Sequence, residues 1–328
     1  MNIRYTEFQN EPNAENDGNG SAIPLPMSWR GTAEQLVNGN NLAYEKIKAK
    51  YPDVMVGSAG FIGGSKTYLQ QYAEPFYEKY FKAKPKFDFF ALHDYPKNRN
   101  YTQGTQLGDL SSQYHTFGTY RELLNKYGYG DKPIFATEGF EDRPYEENGM
   151  KTRNWGENEV VTSWLESYAQ TLSSAKKYNV IGKLITGIRT KGNNMGLINS
   201  SDNQDRNQYY FVKYLIDFLE EYPIYSQHIS GNINSSDYWV EEFKNKKGDR
   251  MWVVFNPLLF ETTDDARMPV ITSKTLKFSQ QATINIETVS NVKISKMNND
   301  QVQTETSSVK NGKITITLGD KPVFVEEK

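Results

Sequence analysis

The chain of 328 residues contains no cysteine. Disulfides, thiolate nucleophiles and Cys-ligated zinc are therefore excluded, although this assigns no compartment, because a disulfide-free protein tolerates either redox environment. Histidine is scarce as well. The three present, His93, His115 and His228, lack zincin spacing, which argues against a catalytic metal site. No apolar run approaches the roughly 20 residues of a transmembrane helix, and the first residues lack the basic start and apolar stretch of a signal peptide. Charge of one sign is missing too: 38 Lys and Arg stand against 40 Asp and Glu. That balance gives no electrostatic footprint for nucleic acid or an anionic membrane. What is plentiful is aromatic: 22 Tyr and 17 Phe can fill a core or stack on sugar rings.

Up to about residue 220 the sequence alternates short strand-like runs with longer helical ones. Strands are predicted at Ile3–Phe8, Val54–Gly60, Phe87–Leu92, Ile134–Thr137 and Lys183–Ile188. Helices are predicted over Thr32–Lys50, within Thr67–Lys82, and over Ser111–Tyr127, Glu157–Tyr178 and Asn207–Glu220. In the first helix Leu36, Val37, Leu42, Ala43 and Ile47 fall at helical spacing, with Thr32 as N-cap and Gln35 three residues on. Strand followed by helix, repeated, is the pattern of parallel βα units. After Pro223 the texture changes to strand-like runs separated by Asn, Asp and Gly turns, as in Asn298-Asn299-Asp300 and Asn311-Gly312. The expectation is an α/β unit over 1–222 and an all-β sandwich over 223–328.

Two glutamates stand just past predicted parallel strands: Glu11 in Phe8-Gln9-Asn10-Glu11-Pro12-Asn13 and Glu138 in Ala136-Thr137-Glu138-Gly139. Ligands in parallel α/β folds sit at the carboxyl ends of the strands. Two carboxyl groups facing each other there meet the needs of glycoside hydrolysis, in which one attacks the anomeric carbon and the other protonates the leaving oxygen. Asn10, immediately before the first, can hydrogen-bond a sugar hydroxyl. Taken alone, either glutamate could equally be a solvated loop residue. Finding both at strand exits favours the paired reading.

Here the sequence resembles clan A of the glycoside hydrolases, whose members are (β/α)8 barrels. In that clan an acid/base Glu follows Asn at the end of strand four, and a nucleophile Glu ends strand seven. Glu11 and Glu138 match those positions. Asn-Glu-Pro-Asn is most similar to family 39, with family 5 close behind. Phe90-Ala91-Leu92-His93-Asp94-Tyr95 looks like strand six of the clan, where a His and a Tyr commonly lie near the nucleophile. The resemblance implies a retaining O-glycosidase of oligo- or polysaccharides, with Glu11 as acid/base, Glu138 as nucleophile and no cofactor. It also implies a secreted or periplasmic location. By this count the opening strand is strand four, and a barrel of about 250 residues is expected where only about 220 are available. The expectation is thus a partial barrel of strands four to eight, with self-association or a partner chain completing it. The alternative is a non-catalytic carbohydrate-binding or scaffold fragment.

Other residues fill out the candidate site. His93 and Tyr95, at alternating positions, would orient Glu138 and hold it ionised. Trp29 and Trp155, both after strand exits, are candidate sugar platforms. Trp164, Trp239 and Trp252 read as core. Glu141 is the main rival nucleophile in the acidic loop after Glu138. Strand eight lacks the Trp that often floors the sugar subsite in the clan. Arg189 stands nearby and reads as a salt-bridge residue or as a contact for an acidic substrate. Gly57-Ser58-Ala59-Gly60-Phe61-Ile62-Gly63-Gly64 departs from G-x-G-x-x-G and has no acidic partner, so it reads as a tight βα loop rather than a dinucleotide site.

Overall fold

The computed structural model describes residues 3–14, 16–20, 29–62, 74–94, 117–118, 120–139, 146–147, 150–151, 172, 175, 177–184, 189–190, 197–199, 202–228, 238–255, 260–262, 271–273, 280–286, 289–298, 300–319 and 321–328. Its N-terminal part is built on parallel strands. β1 (Tyr5–Thr6) pairs with β2 (Met55–Val56). The same chain stretch then continues into β3 (Phe61–Ile62), which pairs with β4 (Phe90–Asp94). β4 pairs with β5 (Ile134–Gly139); a small antiparallel hairpin of β6 (Glu146–Glu147) and β7 (Met150–Lys151) follows, and β5 pairs with β8 (Val180–Lys183). Parallel bridges Asn10↔Gly60 and Gly57↔Phe89 stitch the two parallel groups together. β9 (Arg189–Thr190) and β10 (Ile198–Asn199) form a separate parallel pair.

Among the described residues, two full helices and the helical stretch at 117–118 and 120–126, which buries Phe117, Tyr120 and Leu124, cover the outer face of these strands. α1 (Ala33–Lys50) opens with a full capping box: the Gln35 N–H donates to Thr32 Oγ1 at 3.2 Å, and the Thr32 N–H donates to Gln35 Oε1 at 2.9 Å. It buries Ala33, Leu36, Val37 and Asn40. That stripe leaves Leu42, expected on the buried face, 55% exposed, because at 3.6 residues per turn it points roughly the opposite way. α2 (Glu74–Lys82) contributes Phe76, Tyr77, Tyr80 and Phe81. They pack edge-on and stacked with Phe61 and Phe90, so the abundant aromatics are core material here.

Alternation along β4 sorts the two faces. Phe90 and Leu92 face the helices; Phe89 and Ala91 face the other way, with Phe135 and Met55. Tyr5, Phe89 and Phe135 form a T-shaped trio on that inner face.

Two strand expectations shift. The tight loop expected at Gly57–Gly64 is instead extended as far as Ile62, with Phe61 and Ile62 opposite Leu92 and His93. Glycine permits the close approach: a Cβ on Gly57 would stand 2.6 Å from the Phe89 ring. The fifth strand begins at Val180 rather than Lys183, because Asn179, at φ 51°, turns the chain and its carbonyl accepts from the Ile134 N–H. Residues 185–188 lie outside the described ones.

The C-terminal part is antiparallel. α3 (Asn207–Glu221) leads into β11 (Ile224–His228), β12 (Trp239–Lys244) and β13 (Arg250–Phe255). Next come the pair β14 (Phe260–Thr262) and β15 (Ile271–Ser273), then β16 (Gln280–Asn285), β17 (Asn291–Asn298), β18 (Gln301–Ser308), β19 (Lys313–Leu318) and β20 (Val323–Glu327). Six of these strands form one sheet in the order β11-β12-β13-β20-β17-β18. One face takes Phe211, Leu215 and Phe218 of α3 and the C-cap residue Tyr222; the other packs on the β16–β19 pair through Ile284, Ile314 and Ile316. The sandwich expectation therefore fits, with a helix as an added layer.

Candidate active site

Three features of the backbone aim the side chains of the site. Gln9 and Glu11 have positive φ, 66° and 41°. Each such residue costs on the order of 1 kcal/mol and is held by Gly60: the Glu11 N–H donates to Gly60 O at 2.8 Å, and the Gly60 N–H donates to Gln9 O at 3.1 Å. Asn10, between them, bridges Gly60 through its backbone. The third feature is a bulge. Leu92 faces Ala136, yet the next residue, His93, faces Glu138 and skips Thr137. Ile134 and Ala136 face the helices, so strict alternation would send Glu138 there too. The extra residue turns Glu138 to the inner face beside His93.

The result is a compact cluster. His93 is fully buried, and its Nδ1–H donates to Glu11 Oε1 at 3.0 Å and lies 3.5 Å from Glu138 Oε2. Glu7 Oε1 stands 3.7 Å from Nε2, a charge contact beyond hydrogen-bond range. One oxygen each of Glu11 and Glu138 lie within 4.8 Å of one another. Both glutamates are partly exposed, at 23% and 30%, so they open to solvent while the imidazole behind them does not. Burial disfavours the charged ring, but hydrogen bonding to Glu11, the Glu7 carboxylate and the charges of Glu138 and Glu11 outweigh it. The His93 pKa is pushed up to about 9.

Glu11, His93 and Glu138 offer three donor atoms close enough to surround a metal ion. In the arrangement seen, His93 Nδ1 is engaged with Glu11 Oε1 at 3.0 Å.

The structure thus brings together Glu11, His93 and Glu138, with Asn10 on the adjoining backbone. It does not bring Trp29 to them: that side chain packs against the helix-side core and donates its indole N–H to Thr32 O at 2.9 Å. Tyr95, Trp155 and Glu141 lie outside the described residues, and Arg189 is described only as backbone in β9. Glu7 was missed by reading the sequence. Its signal was an acidic residue inside a strand predicted to be buried, four positions before Glu11.

No protein-family model and no curated protein matches the sequence. Solved structures do. A glucosidase from Croceicoccus marinus superposes with a TM-score of 0.60 at 12% identity, over 98% of this chain and 68% of that one. A monomeric β-xylosidase from Caulobacter crescentus gives 0.56 at 11% identity, over 98% and 68%. A family 39 glycoside hydrolase from Bacteroides cellulosilyticus gives 0.56 at 13% identity, over 98% of this chain and 57% of its own length. The fold is shared with these glycoside hydrolases. At these identities the likeness concerns the glycosidase fold, while the chemistry has to be argued from the cluster. No helix among the described residues is long and apolar enough to cross a membrane.

Proposed function

We propose that the chain is a retaining glycoside hydrolase acting on O-glycosidic bonds of oligo- or polysaccharides. The observation that carries the reading is the separation of Glu11 and Glu138, with oxygens within 4.8 Å. Retaining enzymes hold their carboxyl groups roughly 5–5.5 Å apart, whereas inverting ones need roughly 6.5–9.5 Å to admit a water. Glu138 attacks the anomeric carbon and forms a glycosyl ester as the bond to the leaving oxygen breaks. Glu11 gives that oxygen its proton. A water then enters, Glu11 takes the water's proton, and the hydroxide displaces Glu138. Asn10 binds a sugar hydroxyl, and His93 holds both carboxylates in register from behind. The glucosidase and β-xylosidase neighbours make gluco- and xylo-configured aryl glycosides the first substrates to try.

An activated 2-deoxy-2-fluoro glycoside tests this directly. It should inactivate the protein with a covalent label on the peptide carrying Glu138, and the natural product should first appear with the substrate's anomeric configuration. A label on another residue, or an inverted first product, would overturn the assignment. Glycan binding without turnover, unchanged by substitution of either glutamate, would mark a binding fragment instead.

A further inference from the structure

Three carboxylates, not two, converge on the one imidazole. Glu11 and Glu138 meet it at Nδ1, at 3.0 and 3.5 Å, while Glu7 faces Nε2 at 3.7 Å from the opposite side of the ring. The Glu7 carboxylate is half-buried, its Oε2 is shielded from solvent without a hydrogen-bond partner, and so is His93 Nε2. A carboxylate oxygen, Oε1, facing the buried ring nitrogen favours a proton on Nε2. The neighbouring backbone is shaped around the pair. A Cβ on Gly60 would run into His93 Nε2 and stand 2.9 Å from Glu7 Oε1, so the glycine leaves open the space in which they meet. Left-handed Gln9 bends the chain between Glu7 and Glu11, letting one short segment grip both edges of the ring.

We propose that Glu7 is a positioning residue that keeps the His93 ring doubly protonated, so that Nδ1–H is always a donor toward Glu11 and Glu138. A neutral ring has a single N–H. If that proton sat on Nε2, the Nδ1 lone pair would face two carboxylates. With Glu7 opposite, both nitrogens keep their protons, and His93 serves as a fixed cationic donor rather than a proton shuttle. Glu11 Oε1 is then occupied by His93. That leaves Glu11 Oε2 as the atom that carries the proton to the glycosidic oxygen. The catalytic weight of this inference rests on the retaining-glycosidase reading; the protonation of the ring does not.

The experiment is a pH titration of the imidazole signals in the full chain labelled with 15N-histidine. The chain has only three histidines, so His93→Gln assigns the resonance. In the wild type the His93 ring should remain doubly protonated through neutral pH and titrate near 9. In Glu7→Gln, which keeps the shape but not the charge, it should titrate lower by about one unit or more. In Glu7→Asp, charged but one methylene shorter, it should fall between the two. The alkaline limb of kcat/KM on an activated aryl glycoside should move with it. An unchanged titration in Glu7→Gln and Glu7→Asp, or a wild-type ring already neutral at pH 7, would overturn the proposal. Because the resonance is read without substrate, an inactive protein with the expected titration would count against the glycosidase reading alone.

Discussion

The β-sheet half buries Glu241, Glu242 and Glu326, the parallel half keeps Glu7, Glu11 and Glu138 partly exposed, and the two treat their acids differently. In the β-sheet half each acid has cations or neutral donors beside it, and Arg250 serves both Glu327, at 2.8 Å, and Glu242, at 3.9 Å. Glu241 accepts from the Tyr225 hydroxyl at 2.8 Å, Glu242 from the Trp252 indole N–H at 3.2 Å, and Glu327 from the Arg250 guanidinium at 2.8 Å; Glu326 lies 2.9 Å from Lys293. In the parallel half, Glu7, Glu11 and Glu138 crowd a single histidine. Acids surrounded by cations and by hydroxyl or indole donors have their charge compensated in place. Carboxylates that outnumber their cation are the less compensated arrangement, and such crowding is more common at functional sites than at structural ones.

The comparison breaks most visibly at Glu138. Replacing it with Ala should lower turnover by about 10³-fold or more, whereas Glu241→Gln should leave turnover near wild type; steady-state rates on an aryl glycoside decide. If the two variants lose comparable activity, the distinction fails. Glu11→Gln should cost about 10²–10⁴-fold on substrates with poor leaving groups and far less on dinitrophenyl glycosides. Equal losses on both would remove its role as the acid.

The shared cation also predicts how stability depends on pH. Folding raises the His93 pKa from 6.5 to about 9, so its contribution is complete below pH 6.5 and is lost as pH rises through 9. Urea unfolding should therefore show a loss on the order of 3 kcal/mol across that interval, and His93→Gln should flatten it. Smallest, Trp252→Phe removes the indole donor from Glu242 in the sheet. It should cost about 1–3 kcal/mol in urea midpoint terms and leave kcat/KM unchanged. A change in kcat/KM would mean that the two halves are coupled.

Much of this could be read from residues in order. Both glutamates, the β/α alternation and the Thr32 cap follow from local pattern, because each depends on neighbours a few positions away. What pattern could not supply was set by partners distant in the chain. Gln301–Ser308 is polar and exposed, yet it is a full strand because β17 templates it residue by residue. Trp29 follows a strand exit, but the indole is drawn to the end of α1. Glu7 looked like an ordinary strand residue until His93, 86 positions on, was laid against it.

The bulge at Thr137 shows that chain length, as well as residue identity, builds this site. Every side chain named in the cluster could be conserved while a one-residue deletion between Ala136 and Glu138 swung the carboxylate to the helix-facing side. Related sequences are therefore better compared by the spacing of this stretch than by its letters. A homologue with the same glutamates and one residue fewer here would keep the vocabulary of the site and lose its grammar.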